Sequence, residues 1–107
     1  MSMARNADSA VGLLRRLEAI LESEDGRDWL PGIKITRQTG EHLIAAGDSS
    51  RALVKMGAIY RGMHSDPGGI DDFFIWRDTP TDRMVANREL ERIKGELWKI
   101  LGFPPEA

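Results

Sequence analysis

Residues 60–76 read YRGMHSDPGGIDDFFIW, and this stretch is the longest interruption of an otherwise helical pattern. The Asp-Pro-Gly-Gly sequence at 66–69 favours a turn, because proline presets its own φ and glycine accepts a positive φ. Residues 73–76 are aromatic or β-branched, which favours an extended segment over a helix. We therefore predict a rigid, non-helical insert that divides the chain before its last helix.

A first helix is predicted over residues 10–23, because apolar side chains recur there at helical spacing. Asp8 or Ser9 would cap its first turn, and residues 1–7 are expected to be disordered. Gly26 is expected to take the left-handed conformation after the helix ends. The apolar stripe consists of Val11, Leu13, Leu14, Leu17, Ile20 and Leu21.

A second helix is predicted from Asp28, as its cap, to about Ala46. Pro31 falls in the first turn, where its missing amide hydrogen costs little. A β-branched cluster makes a strand over residues 32–37 the alternative. We favour the helix because residues 40–46 continue the helical spacing.

Residues 47–50, Gly-Asp-Ser-Ser, are predicted to stop the second helix and to cap a third. The third helix is predicted over residues 51–60 and ends at Gly62, and a fourth runs from the loop at 78–82 through Leu101. The apolar face expected on the fourth helix comprises Met84, Val85, Leu90, Ile93, Leu97, Ile100 and Leu101. Four amphipathic helices with short connections bury their stripes against one another. The predicted fold is mainly α: a single domain over residues 1–107, a four-helix bundle with a Gly/Pro-rich loop and one short extended segment before the last helix.

Composition narrows the functional classes. The 107 residues include no cysteine, which excludes a disulfide framework, a thiolate nucleophile and a cysteine-based metal site. A net charge of -2 with interspersed signs argues against a nucleic-acid partner, because such domains usually carry a basic stripe. No apolar run approaches the roughly 18 residues of a membrane span, and no signal-peptide core opens the chain. We expect a cytoplasmic protein with neither nucleic acid nor membrane as its partner.

The only polar constellation in a loop consists of His64, Ser65, Asp66, Asp71 and Asp72. One interpretation is a metal or acid–base site, with His64 as base or ligand. The favoured interpretation is local, because serine and aspartate side chains in turns commonly bond to nearby backbone amides. We therefore predict no catalytic residue, no metal and no cofactor.

Residues 73–76 would present apolar groups on both faces of an extended segment. A small bundle can cover one face, and a partner protein could cover the other. Burial of both faces by the chain's own helices is the alternative. The predicted contact surface consists of Tyr60, Met63, His64, Phe74 and Trp76.

A motif is shared with known sequences through Trp29, Gly62, Met63, Ser65, Ile70, Asp72 and Phe73. Through these residues the chain resembles a family of small uncharacterised bacterial proteins, a domain of unknown function. Its members have a leucine-rich first helix, a Trp opening the second, and Gly-Gly-Met-Gly-Ser-apolar-Asn-Asp-apolar in the middle. Here Arg61 and His64 replace glycines, and residues 66–69 are inserted.

The resemblance implies a standalone module that binds one protein partner, as immunity or accessory proteins do. It further implies that Gly62 turns the chain out of the third helix, while Ser65 and Asp72 tie the loop to backbone amides. Our functional hypothesis is a non-enzymatic protein-binding module, immunity-like or regulatory, with self-association left open. The alternative is an enzyme or a small-ligand or metal site built from the loop residues His64, Asp66, Asp71 and Asp72.

Overall fold

A computed structural model of the protein describes residues 3–64, 70 and 73–102. Its helices are α1 (Met3–Ser23), α2 (Leu30–Ala45), α3 (Ser49–Gly62) and α4 (Pro80–Leu101), and the described residues include no strand. The mainly-α four-helix bundle is confirmed, and so is the helical choice over a strand at residues 32–37. No helix in the described part of the chain is both long and apolar enough to cross a membrane.

The first helix begins at Met3, whereas the sequence predicted a cap at Asp8 or Ser9 with residues 1–7 disordered. Ala7 is fully buried in the core, so the apolar stripe extends a turn further back than its large side chains suggest. Alanine has the highest helix propensity of all residues, which favours the early start. Residues 3–7 therefore belong to the helix.

The end of α1 corrects the role given to Gly26. The residue with a positive φ is Asp25, at 65°, and Gly26 is buried. A Cβ on Gly26 would lie 2.4 Å from Cδ2 of Leu21 and 3.0 Å from Cε1 of Phe73. Glycine is needed here for space, because the insert packs directly onto the last turn of α1.

The connection between α2 and α3 follows the predicted stop and cap. Gly47, at φ 80°, donates its amide hydrogen to the Ile44 carbonyl, and Asp48 donates to the Leu43 carbonyl. These two bonds form a Schellman motif, which satisfies the last carbonyls of α2. The Asp48 side chain then accepts the Arg51 amide hydrogen at 3.1 Å and opens α3.

The two helices with a proline in the first turn differ in their caps. In α2 the residue at the cap position is Trp29, whose side chain makes no capping hydrogen bond, so the predicted cap at Asp28 is wrong. Pro31 supplies the preset φ in its place. In α4 the Thr79 hydroxyl accepts the Asp82 amide hydrogen at 3.2 Å, which confirms a start within the 78–82 loop.

Helices α1 and α3 each contact every other helix, while α2 and α4 do not touch each other. The bundle is therefore rhombic in section, with α2 and α4 at opposite corners. The core joins all four helices with three residues of the insert and includes Leu14, Leu17, Ile33, Met56, Tyr60, Ile70, Phe73, Ile75, Leu90, Ile93 and Leu97.

The first turns of α4 depart from the predicted apolar face. Met84 is 64% exposed and Val85 is also exposed, whereas Leu90, Ile93, Leu97 and Leu101 are buried and Ile100 is half-buried. Met84 precedes Leu90 by six residues, which at about 100° per residue turns it roughly 120° away from the buried side. Lys94, which is not part of the predicted apolar face, is only 8% exposed.

Ion pairs fasten α1 to its neighbours. Arg37 on α2 donates to Glu18 on α1 and to Glu41, which also accepts from Arg15 on α1. Partial burial opposes ionisation of Glu41, but hydrogen bonds from Arg15 and Arg37 outweigh it and hold the pKa of Glu41 below its usual value. On the other side, Arg16 pairs with Glu89 of α4.

Gly40 sets the distance between α2 and α3. A Cβ there would lie 2.3 Å from the Met56 sulfur, and Met56 is itself fully buried. We expect Gly40→Ala to lower the free energy of unfolding by about 1–3 kcal/mol, because overpacking outweighs the better helix propensity. Gly12→Ala, at an exposed position of α1 with nothing within 4 Å of the added Cβ, should raise the free energy of unfolding by about 0.5–1 kcal/mol.

Denaturant unfolding measures both variants. Combining Gly40→Ala with Met56→Ala should shrink the Gly40 penalty, because the obstructing sulfur is gone. An equal penalty in both backgrounds would show that the contact with Met56 is not its cause.

The lowered pKa of Glu41 predicts acid sensitivity. A carboxyl whose folded-state pKa is depressed contributes stability above its unfolded pKa, and that contribution disappears as the pH falls through the folded value. We expect Glu41→Gln to lose part of the stability at about pH 6 and to depend less on pH than the parent down to about pH 3. Parallel pH curves for the two proteins would contradict the prediction.

Candidate functional site

Along residues 73–76, at the end of the insert, buried and exposed side chains alternate. Phe73 and Ile75 are buried, whereas Phe74 is 51% exposed and Trp76 is 63% exposed. The bundle therefore covers one side of this segment, as its two-faced sequence pattern predicts. Phe73 packs inward against the Trp29 ring, with ring centroids 5.3 Å apart.

The Asn87 side chain holds the segment against α4. Its Oδ1 accepts the Ile75 amide hydrogen at 2.8 Å, and its Nδ2 donates to the Ile75 carbonyl at 2.7 Å. The same Nδ2 donates to the Arg83 carbonyl at 2.8 Å. One side-chain amide thus satisfies both backbone groups of Ile75, as a neighbouring strand would in a sheet.

Two arginines fix the C-terminal end of the segment. The Arg83 guanidinium lies 3.9 Å from the centre of the Trp76 ring and donates to the Arg77 carbonyl at 3.1 Å. Arg77 in turn donates to both carboxylate oxygens of Glu24, at 2.7 and 2.9 Å. These contacts tie the segment to α4 and to the end of α1.

A notch of about 280 Å³ lies beside Phe74. The rings of Phe74 and Trp76 meet edge to face with centroids 6.3 Å apart. We call Phe74, Trp76 and Met84 the aromatic surface. The notch is lined by Phe74, Pro80, Arg83, Met84, Asn87 and Glu91.

The other three predicted contact residues lie elsewhere. Tyr60 is fully buried, so its place on a contact surface is wrong. It faces inward because α3 presents this side to the core. Met63 is half-buried, with its sulfur only 2.7 Å from where a Cβ on Gly32 would stand. It therefore packs across α2.

His64 stands between two aromatic rings. Its ring centroid lies 4.6 Å from that of Tyr60 and 5.0 Å from that of Trp98. A cavity of about 450 Å³ opens beside it, lined by His64, Glu91, Lys94, Gly95, Trp98 and Lys99. The Lys94 ammonium lies 3.6 Å from Glu91. The arrangement offers a cation, a carboxylate and aromatic faces at one place.

Four of the predicted loop residues, Ser65, Asp66, Asp71 and Asp72, lie outside the described residues. Gly62 is the last residue of α3, where the sequence placed the helix end. Within the described residues, no group of three or more histidine and carboxylate side chains is placed to hold a metal ion.

Sequence reasoning missed Asn87, Arg83 and Met84. Asparagine is a poor helix former whose side chain competes for backbone groups, so Asn87 inside a helical pattern was the available signal. For Met84, the available signal was its position six residues before Leu90, which turns its side chain away from the buried side of α4.

Comparison of the chain with protein-family models, with curated proteins and with solved structures finds no match.

We predict that Asn87→Ala lowers the free energy of unfolding by about 1–3 kcal/mol, because it leaves partly buried backbone groups of Ile75 without their partner. Amide hydrogen exchange at Ile75 should accelerate more than exchange in the centre of α1. Arg88→Ala, on the exposed side of the same helix, should change stability by no more than about 0.5 kcal/mol. Unchanged exchange at Ile75 in Asn87→Ala would refute the role given to this side chain.

Proposed function

We propose that this protein is a non-enzymatic module that binds another protein through the aromatic surface. The observation that carries the proposal is that Phe74 and Trp76 are more than half exposed on a segment fastened by side-chain bonds. An immunity-like or regulatory role in a bacterial cytoplasm is the setting that we propose for it.

The energetic case rests on the kinds of side chain exposed. Tryptophan and arginine are among the residues that contribute most to binding, and Arg83 already lies over the face of Trp76. Because Asn87 and Arg77 hold the segment in place, little conformational freedom is lost when a partner covers it. The surface is thus preorganised for association.

The proposed occupant is a different protein that inserts an apolar side chain into the notch beside Phe74. Obligate dimers of identical chains usually bury 2,000 Å² or more of largely apolar surface. Here three exposed apolar side chains are bordered by the charged Arg83 and Glu91, which is typical of a smaller, separable contact.

A second candidate function is small-ligand binding at the cavity beside His64. The observation in its favour is the largely buried Lys94 in a cavity of about 450 Å³ that also exposes Glu91 and Trp98. Ligand sites commonly have this size and combine aromatic walls with a few polar groups. Asp66, Asp71 and Asp72, which the sequence-based alternative would add, lie outside the described residues.

Photo-cross-linking in cells of the source organism tests the protein-binding proposal. A photoreactive amino acid at position 74 should capture a discrete protein, and the same amino acid at position 35 should not. Ile35 is a matched control because it is 53% exposed and lies on α2, away from α4. Equal capture from both positions would contradict a dedicated surface.

With the captured partner purified, we expect Trp76→Ala and Phe74→Ala each to raise the dissociation constant about tenfold or more. Ile35→Ala should change it by less than about twofold. The melting temperature should change little in all three variants, because each removes an exposed side chain. Wild-type affinity in both aromatic variants would eliminate the aromatic surface as the binding site.

Analytical ultracentrifugation and the melting temperature separate the remaining outcomes. A dimer that Trp76→Ala dissociates would make a second copy the occupant instead of a different protein. Stabilisation by a metabolite that depends on Lys94 and persists in Trp76→Ala would favour the small-ligand function.

A further inference from the structure

A second groove lies between the C-terminal half of α2 and the first half of α3. Its volume is about 410 Å³, and it is lined by Gln38, Thr39, His42, Leu43, Arg51 and Lys55. The lining residues of α2 and those of α3 recur one helical turn apart, so each helix contributes one continuous edge. The groove shares no lining residue with the notch beside Phe74.

The groove concentrates positive charge. In the described part of the chain, neither Arg51 nor Lys55 makes an ion pair, and no carboxylate lines the groove. Two like charges one turn apart on α3 repel each other. Arg51 also lies in the first turn, where the helix dipole disfavours a cation. An anion bound between the two side chains would relieve both penalties.

We propose that this groove binds a small organic phosphate monoester. At neutral pH such a group carries close to two negative charges, which match one guanidinium and one ammonium. The Arg51 guanidinium can donate two parallel hydrogen bonds to phosphate oxygens, and Lys55 adds a mobile point charge.

The α2 edge supplies the remaining specificity. The Gln38 amide and the Thr39 hydroxyl can donate to ligand oxygens, and His42 adds a further ring nitrogen. Leu43, which is half-buried, offers an apolar contact for the organic part of the ligand. The groove should therefore prefer an organic phosphate over inorganic phosphate.

Titration of the full ¹⁵N-labelled chain with phenyl phosphate tests the inference. We expect saturable shifts of backbone amides at residues 38–43 and 51–55, with weaker binding of inorganic phosphate and none of phenol. Shifts centred on any other part of the bundle would overturn the proposal, as would equal affinity for phenyl phosphate and inorganic phosphate.

A matched pair of double variants tests the role of the two cations. Arg51→Gln with Lys55→Gln should weaken phenyl phosphate binding about tenfold or more, because it removes both charge-assisted contacts. Arg27→Gln with Arg88→Gln removes the same charge from outside the groove and should change binding by less than about twofold. Both pairs replace exposed side chains, and the spectrum of each free variant verifies its fold.

Equal weakening in both double variants would mean unspecific attraction by net charge and would refute the site. Shifts at the groove with an acidic peptide but not with phenyl phosphate would identify a protein-docking face and equally refute the phosphate proposal.

Discussion

The pairing of the Asn87 amide with the backbone of Ile75 is the interaction on which the candidate surface depends. A single extended segment has no neighbouring strand in this bundle, and its partly buried N–H and C=O groups require partners. Asn87 supplies both from the side of α4. With Ile75 fixed, Phe73 and Ile75 face the core and are buried, whereas Phe74 and Trp76 face outward and are exposed.

This arrangement works because the insert is part of the core. Ile70, Phe73 and Ile75 pack with the helices, and the absence of a side chain at Gly26 lets Phe73 reach the end of α1. The Arg77–Glu24 pair closes the same junction at the surface. The bundle and the insert therefore stabilise each other, and the exposed aromatic rings are fixed by the same packing that buries their neighbours.

The rhombic section of the bundle separates two surfaces of different chemistry. The insert and α4 carry the aromatic surface, whereas α2 and α3 form the groove with Arg51 and Lys55. Because the two surfaces share no lining residue, a protein on one need not obstruct a small anion on the other. Any communication between them would pass through α1 and α3, the two helices that contact all the others.

The sequence by itself determined the four helices, the turn at Gly47, the end of α3 at Gly62 and the non-helical character of residues 73–76. Apolar periodicity and glycine or aspartate punctuation are local, so they can be detected without a structure. Only the tertiary structure decided that Met84 is exposed, that Lys94 and Tyr60 are buried, and that Asn87 pairs with a residue twelve positions away. The physical reason is that a stripe of apolar residues indicates which side of a helix is covered, but the neighbouring elements determine how far that cover extends. A side-chain amide likewise finds its backbone partner only after packing has brought the two segments together.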